Sequence, residues 1–326
     1  MTDSARTFSR ITGTGGCLPA RVVTNHDLER IMDTSDEWIQ ERTGIKRRHL
    51  VEDETAGDLG LVAARNAIDM AGLTPDAIDL IIVATTTPDK VFPGTACIIQ
   101  RQLGSGGCPA FDVQAACSGF IYGLDIADRQ IRTGGARAAL VIGTETLSKI
   151  VNWEDRGTAV LFGDGAGAVV LEASEQAGVI STHIHADGQY EDLLEVPQGI
   201  SSGYDAVRAE RAFIKMMGNA VFKRAVATLG SMARETLDAN GIDRHDIDWL
   251  VPHQANLRII AAAAKKLDLP MERVIVTVDE HANTSSASIP LALDAAVRDG
   301  RIRAGELLLF EAFGAGFTWG SALVRF

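Results

Sequence analysis

Two stretches of the chain, 169 residues apart, carry one pattern. Ala63–Val83 reads AARNAIDMAGLTPDAIDLIIV and Met232–Pro252 reads MARETLDANGIDRHDIDWLVP. Aligned without gaps they share Ala64/Ala233, Arg65/Arg234, Asp69/Asp238, Gly72/Gly241, Ile78/Ile247 and Asp79/Asp248. Each is an amphipathic helix, a glycine stop, a turn and a short apolar strand. Any two helix–turn–strand units share that outline, but the aligned identities favour a duplicated half. The second copy would begin near Gly178–Ile184. Such a unit cannot bury its faces alone, so the chain must stack helices against a sheet at least twice.

Further apolar strands are expected at Leu80–Thr85, Ala138–Gly143, Ala166–Leu171, Trp249–Pro252 and Leu307–Ala312, with helices at Thr55–Ala71, Gly119–Arg132 and Asn219–Asn240. The alternation predicts an α/β fold with a largely parallel sheet. The polar, turn-rich stretch from Gln189 to Arg211 reads as a surface insertion. With 31 basic and 43 acidic residues the net charge is −12, which disfavours nucleic acid or an anionic membrane as the main partner. Met1–Arg10 is polar, no apolar run reaches the roughly 18 residues of a membrane span, and the four cysteines form no CxxC pair. A reducing cytoplasm is the expected location.

Three residues could carry chemistry. Cys117 stands where a strand ends near Gln114 and an amphipathic helix begins, so the positive end of the helix dipole would favour its thiolate. A small buried cysteine is the alternative, and Cys17, Cys97 and Cys108 lack this setting. His253 follows the strand ending at Pro252, where α/β folds place ligands, though it could equally cap the next helix. Asn283 lies in a loop running into a helix, where small polar residues are usually caps. The Gly-rich turn after Glu311-Ala312-Phe313 could present N–H groups to an oxyanion.

Taken together, these segments resemble the β-ketoacyl-acyl-carrier-protein synthase III family, condensing enzymes of the thiolase superfamily. The likeness runs from Ile11 to Phe326 through Asp33-Thr34-Ser35-Asp36-Glu37-Trp38-Ile39, Thr43-Gly44-Ile45, the Cys117 segment, Phe162-Gly163-Asp164-Gly165-Ala166-Gly167, Val251-Pro252-His253-Gln254-Ala255-Asn256, Asn283-Thr284-Ser285 and Gly316-Phe317-Thr318-Trp319-Gly320. The resemblance implies a thiolase-like fold: two duplicated βαβαβαββ halves, residues 1–180 with the cysteine and 181–326 with the histidine and asparagine, in a five-layered αβαβα architecture. It implies an acyl-Cys117 intermediate formed from a short acyl-CoA, acetyl-CoA in the first instance. Decarboxylation of malonyl-acyl-carrier protein would then be assisted by His253 and Asn283. The backbone N–H groups of Cys117 and Ala315 would form the oxyanion hole, and Phe313 the apolar wall beside the leaving carboxylate.

The same resemblance assigns CoA contacts to Trp38, Arg42, Arg156 and Asn256, and an acyl-pocket position, reached from the partner of a homodimer, to Phe92. CoA thioesters would be substrates, and no cofactor or metal is expected. Acidic carrier protein would dock on Arg258, Lys265 and Lys266, which follow His253 on one helix, with Lys223 and Arg224 as a second basic pair. Position 282, often Gly in the family, is Ala here. Asn283 as third member separates the chain from Cys-His-His elongating enzymes, and no second Cys follows His253 as in thiolases. Relatives that load longer or unusual starters in secondary metabolism remain the alternative. A papain-like protease, which shares the order Cys…His…Asn, is disfavoured by the flanks Ala116 and Ser118-Gly119. A non-enzymatic CoA- or carrier-binding module would have no need of the thiol.

Overall fold

The computed structural model describes residues 7–209 and 212–326. Most of the polar start and Arg211, the end of the expected insertion, lie outside them. The first sheet is built from β1 (Phe8–Cys17), β2 (Leu80–Ala84), β3 (Ala110–Val113), β4 (Ala138–Thr146) and β5 (Asp164–Ser174), in the order β1-β5-β4-β2-β3. The second holds β6 (Val179–Ala186), β7 (Trp249–Pro252), β8 (Leu307–Gly314) and β9 (Thr318–Arg325), in the order β7-β8-β9-β6. Only β4, β2 and β3 in the first sheet and β7 with β8 in the second run parallel. The expectation of a largely parallel sheet is therefore corrected: β1, β5, β6 and β9 pair antiparallel. The reversal from β8 to β9 is too short for the crossover that parallel neighbours require. The chain leaves the first sheet at Ser174 and enters the second at Val179, so a division at 180/181 would fall inside β6.

The main helices are α1 (Ala56–Ala71), α2 (Thr95–Leu103), α3 (Gly119–Arg132), α4 (Gly218–Asn240), α5 (Leu257–Leu267) and α6 (Ser288–Arg298). Strand alternation sends Ile82, Val141 and Val169 to one face of the first sheet, where they meet Phe120, Ile121 and Leu124 of α3 and Ile289 and Leu293 of α6. Val251, Leu308 and Phe310 of the second sheet close the same core from the other side. Ile81, Val83, Leu140 and Ile142 face the opposite way onto α1, and Leu250, Leu309 and Leu323 pack against α4 and α5. The result is five layers, with α3 and α6 buried between the sheets.

The aligned segments fold alike. Gly72 and Gly241 end their helices with φ of 70° and 60°, left-handed caps that a side chain would strain. Asp79 then accepts from the N–H groups of Arg137 and Ala138 at the start of β4, while Asp248 accepts from Leu307 N at the start of β8. The shared aspartates thus join each repeat strand to its neighbour in the same manner.

Candidate active site

Cys117 lies in a single 3-10 turn, Ala116–Ser118, between β3 and α3, and Ala116 takes φ of 46° to make that turn. The β8–β9 turn closes over it. At Gly314 an added Cβ would stand 2.7 Å from the Cys117 nitrogen, so only glycine permits this approach. Thr318 Oγ1 donates to the carbonyls of Ala115 and Ala315, tying the two loops together. Burial pushes the Cys117 thiol up to about 12, with the Ser285 hydroxyl opposing and Glu145 reinforcing the rise. The expected pull of the helix terminus toward the thiolate is opposed here by loss of hydration.

His253 is buried at the end of β7, its backbone N–H bonded to Glu311 O at 2.7 Å. Its Nδ1 lies 2.7 Å from Ser288 Oγ, at the start of α6, and Ser288 Oγ also accepts from Gln254 N at 3.3 Å. The hydroxyl proton can donate to Nδ1, and the imidazole then carries its hydrogen on Nε2; the second Oγ lone pair equally permits Nδ1–H to donate. Burial drives the imidazole down to about 3, so it stays neutral at physiological pH. Gln254 spends its side chain on Pro252 O, Ile275 O and the N–H groups of Thr277 and Val278, so it is an anchor of this loop.

Asn283 is equally fixed. Its backbone N–H donates to Leu161 O and its carbonyl accepts from Gly163 N. Its Oδ1 accepts from Ser285 N at 2.9 Å, which leaves the NH2 group as the donor facing the cavity. Ala282 just before it adopts φ 57°, ψ −162°, a region essentially reserved for glycine, so this departure from the family pattern carries strain of about 1–3 kcal/mol. Buried Arg48, which holds Val160 O at 3.0 Å, secures the segment that grips Asn283. Glu145, also fully buried, accepts from Thr86, Thr87, Ser285 and Ser286 beneath the cysteine.

Two cavities meet at Cys117 and Phe162. One, of ≈ 90 Å³, is lined by His253, Asn283, Phe313, Asn256 and the α4 residues Val221, Phe222 and Ala225. The other, of ≈ 420 Å³, is lined by Ala315, Leu147, Leu194, Val196 and Ile214. The segment read as a surface insertion therefore walls this second cavity, which its few scattered apolar residues did not reveal. Asn256 uses its carboxamide oxygen to cap α5 through Ile259 N. Trp38 lies between two guanidinium groups, Arg42 at 4.8 Å and Arg156 at 5.0 Å from its ring centre. Arg258 covers Phe222 at the mouth of the narrower cavity, with Lys223 and Arg224 exposed beside it. Lys265 and Lys266 lie about 10 Å further along the same helix. Phe92 is 83% exposed and lines neither cavity of its own chain.

Residues 111–188 match the family described as 3-Oxoacyl-[acyl-carrier-protein (ACP)] synthase III, and residues 237–326 match its C-terminal counterpart. The chain is 66% identical over 321 residues to the beta-ketoacyl-[acyl-carrier-protein] synthase III of Thioalkalivibrio sulfidiphilus, covering 98% of this chain and all of the relative. The chain belongs to the β-ketoacyl-acyl-carrier-protein synthase III family. It is a condensing acyltransferase with the thiolase-like fold. The crystal structure of the Aquifex aeolicus synthase III superposes with a TM-score of 0.93 at 48% identity, covering 98% of this chain and 100% of that one. The priming β-ketosynthase of the R1128 polyketide pathway superposes at 0.94 with 37% identity, covering 100% and 98%.

Proposed function

We propose that this synthase condenses a short acyl-CoA primer, acetyl-CoA foremost, with malonyl-acyl-carrier protein to start fatty acid chains. The observation that carries the reading is the convergence of a buried thiol, a neutral imidazole and an amide NH2 on one narrow cavity, and the reading takes the imidazole hydrogen on Nε2. Cys117 sulfur attacks the primer carbonyl and CoA leaves as the thiol. In the second half-reaction His253 and Asn283 donate to the malonyl thioester oxygen. Loss of CO2 leaves an enolate whose charge these donors stabilise. Its carbon attacks the acyl-Cys117 carbonyl, the new C–C bond forms, and the Cys117 sulfur departs and recovers a proton. The N–H groups of Cys117 and Ala315 serve the tetrahedral oxyanions. Apolar Phe313, its ring centre 4.5 Å from that of Phe317 in a tilted pair, disfavours the carboxylate before CO2 is lost.

In this reading CoA adenine enters beside Trp38 by displacing Arg156, whose guanidinium stacks on the ring in the free enzyme. Arg42 then faces the phosphates and Asn256 the pantetheine. The wider cavity receives the acyl group, and a second copy of the chain completes it through Phe92. Exposed Val91, Phe92 and Phe111 support such a homodimer, the last lying on the edge strand β3. The 37% likeness to a polyketide priming enzyme keeps a longer-starter reading as the second possibility. Intact mass after incubation with a panel of acyl-CoAs decides between them, because the adduct names the primer. Cys117→Ser should show no adduct. Asn283→Ala should acylate normally and lose about 10²–10³ in decarboxylation; an adduct on the serine variant, or equal loss of both steps in the alanine variant, would refute the assignment.

A further inference from the structure

The face of β8 that packs toward α4 and α5 reads Leu307, Leu309, Glu311, Phe313. Three of these are apolar core residues and the fourth is a carboxylic acid with 0% exposure. No described group hydrogen-bonds either oxygen of Glu311. Its side chain lines the narrow cavity with Cys117, His253 and Asn283. An ionised carboxylate without partners is not tolerated in such surroundings, whereas a neutral acid offers one donor and one acceptor that still require partners. The cavity measures ≈ 90 Å³ and one internal water needs about 10–15 Å³, so there is room for a bridging molecule.

We propose that Glu311 works as an uncharged acid that holds a water in this cavity beside His253 and Asn283, making it a positioning residue for decarboxylation. This rests on the reading of the site given above. Burial pushes the Glu311 carboxyl up to about 8, in keeping with the neutral form at physiological pH. The titratable groups facing it are His253 at the end of β7 and Cys117 in the turn before α3. α4 presents Ala225 and Leu229, and β9 presents Ser321 as its cross-strand neighbour. The imidazole is already neutral, and an acylated Cys117 has no thiol to titrate. Ionisation of Glu311 would therefore be what places a new negative charge beside the malonyl carboxylate and the developing enolate. Decarboxylation should fall as pH rises through that ionisation.

The test is the pH profile of CO2 release from malonyl-acyl-carrier protein by acylated wild type, Glu311→Gln and Glu311→Leu, with melting temperatures recorded for each. The glutamine variant keeps a neutral hydrogen-bonding side chain of the same shape. It should stay within about threefold of wild type at pH 7 and lose the alkaline fall centred near 8. The leucine variant should lose about tenfold in kcat, with the carrier KM and Cys117 acylation little changed. A glutamine variant that retains the alkaline fall, or a folded leucine variant with wild-type rate and profile, overturns the proposal. Infrared difference spectra of wild type minus Glu311→Gln read the protonated carboxyl at pH 7 independently; its absence also overturns it. A wild type that releases no CO2 refutes the reading of the site instead, and the infrared result still decides the state of Glu311.

Discussion

Ser288→Ala removes one oxygen, and its effect separates orientation of His253 from its mere presence. The 2.7 Å contact between Ser288 Oγ and Nδ1 is buried, and Ser288 Oγ is also the acceptor for Gln254 N–H. With the imidazole hydrogen on Nε2, as the proposed reaction requires, Nδ1 takes its hydrogen bond from this hydroxyl and loses it in the variant. A neutral hydrogen bond contributes about 0.5–1.5 kcal/mol, which is roughly two- to tenfold in population. Decarboxylation of malonyl-acyl-carrier protein should therefore fall about three- to tenfold, far less than the 10²–10³ expected when a donor such as Asn283 is deleted. Acylation of Cys117 should be unaffected, because it makes no demand on the Nε2 proton. CO2 release and time-resolved intact mass measure the two steps separately. Because the imidazole is held down to about 3, the wild-type decarboxylation rate should also show no acid fall near the ordinary histidine range. Equal loss in both half-reactions, or no loss in either, would refute the tautomer argument.

Arg258→Glu at the mouth of the narrow cavity should raise KM for malonyl-acyl-carrier protein and spare acetyl-CoA, and added salt should weaken carrier binding in the wild type; a salt-insensitive KM would argue against docking there. Phe92→Thr should shift primer use toward butyryl- or hexanoyl-CoA, since each further CH2 buried gains about 0.8 kcal/mol, or roughly fourfold. An unchanged primer profile with a weakened dimer on sizing chromatography would make Phe92 a packing residue only. Iodoacetamide should label Cys117 sluggishly at neutral pH and faster as pH rises toward the value to which burial pushes the thiol, about 12, as followed by intact mass. Rapid labelling that is flat from pH 6 to 9 would mean a resting thiolate.

The strands Trp249–Pro252 and Leu80–Ala84 were legible because buried parallel strands are continuous apolar runs. The helix stops at Gly72 and Gly241 were legible too, since a left-handed C-cap leaves a local signature. Cys117, His253 and Asn283 stood out because each sits where a strand or loop runs into a helix. Ser288, Glu145, Arg48 and Glu311 did not, and the reason is range. Ser288 meets His253 across 35 residues, Glu145 meets Ser285 across 140, and Arg48 meets Val160 across 112. Glu311 is hidden further by its surroundings: a glutamate between alanine and phenylalanine reads as a solvent-facing strand position until the packing of α4 covers it. The turn-rich segment after Gln189 misled for the converse reason, its few apolar residues being spread too widely to mark a wall.

The protonation states of the site constrain the order of its chemistry. Burial pushes the Cys117 thiol up to about 12, which disfavours a free thiolate at pH 7. The N-terminus of α3 returns about 0.3–1 kcal/mol, and about 2 at most. In the proposed reaction the proton therefore leaves as the S–C bond forms, since burial opposes a free thiolate. With its hydrogen on Nε2, as the proposed decarboxylation requires, His253 has no lone pair there to receive the proton. The departing CoA sulfur is the remaining acceptor, and the balance closes: one thiol enters the step and one thiol leaves it. In the proposed second half-reaction a neutral imidazole, an uncharged acyl-Cys117 thioester and the neutral Glu311 acid would leave the incoming malonyl carboxylate as the charge in the cavity that is lost. In the proposed reaction the site would discriminate between the charged ground state and the enolate through fixed donors at one end and Phe313 at the other.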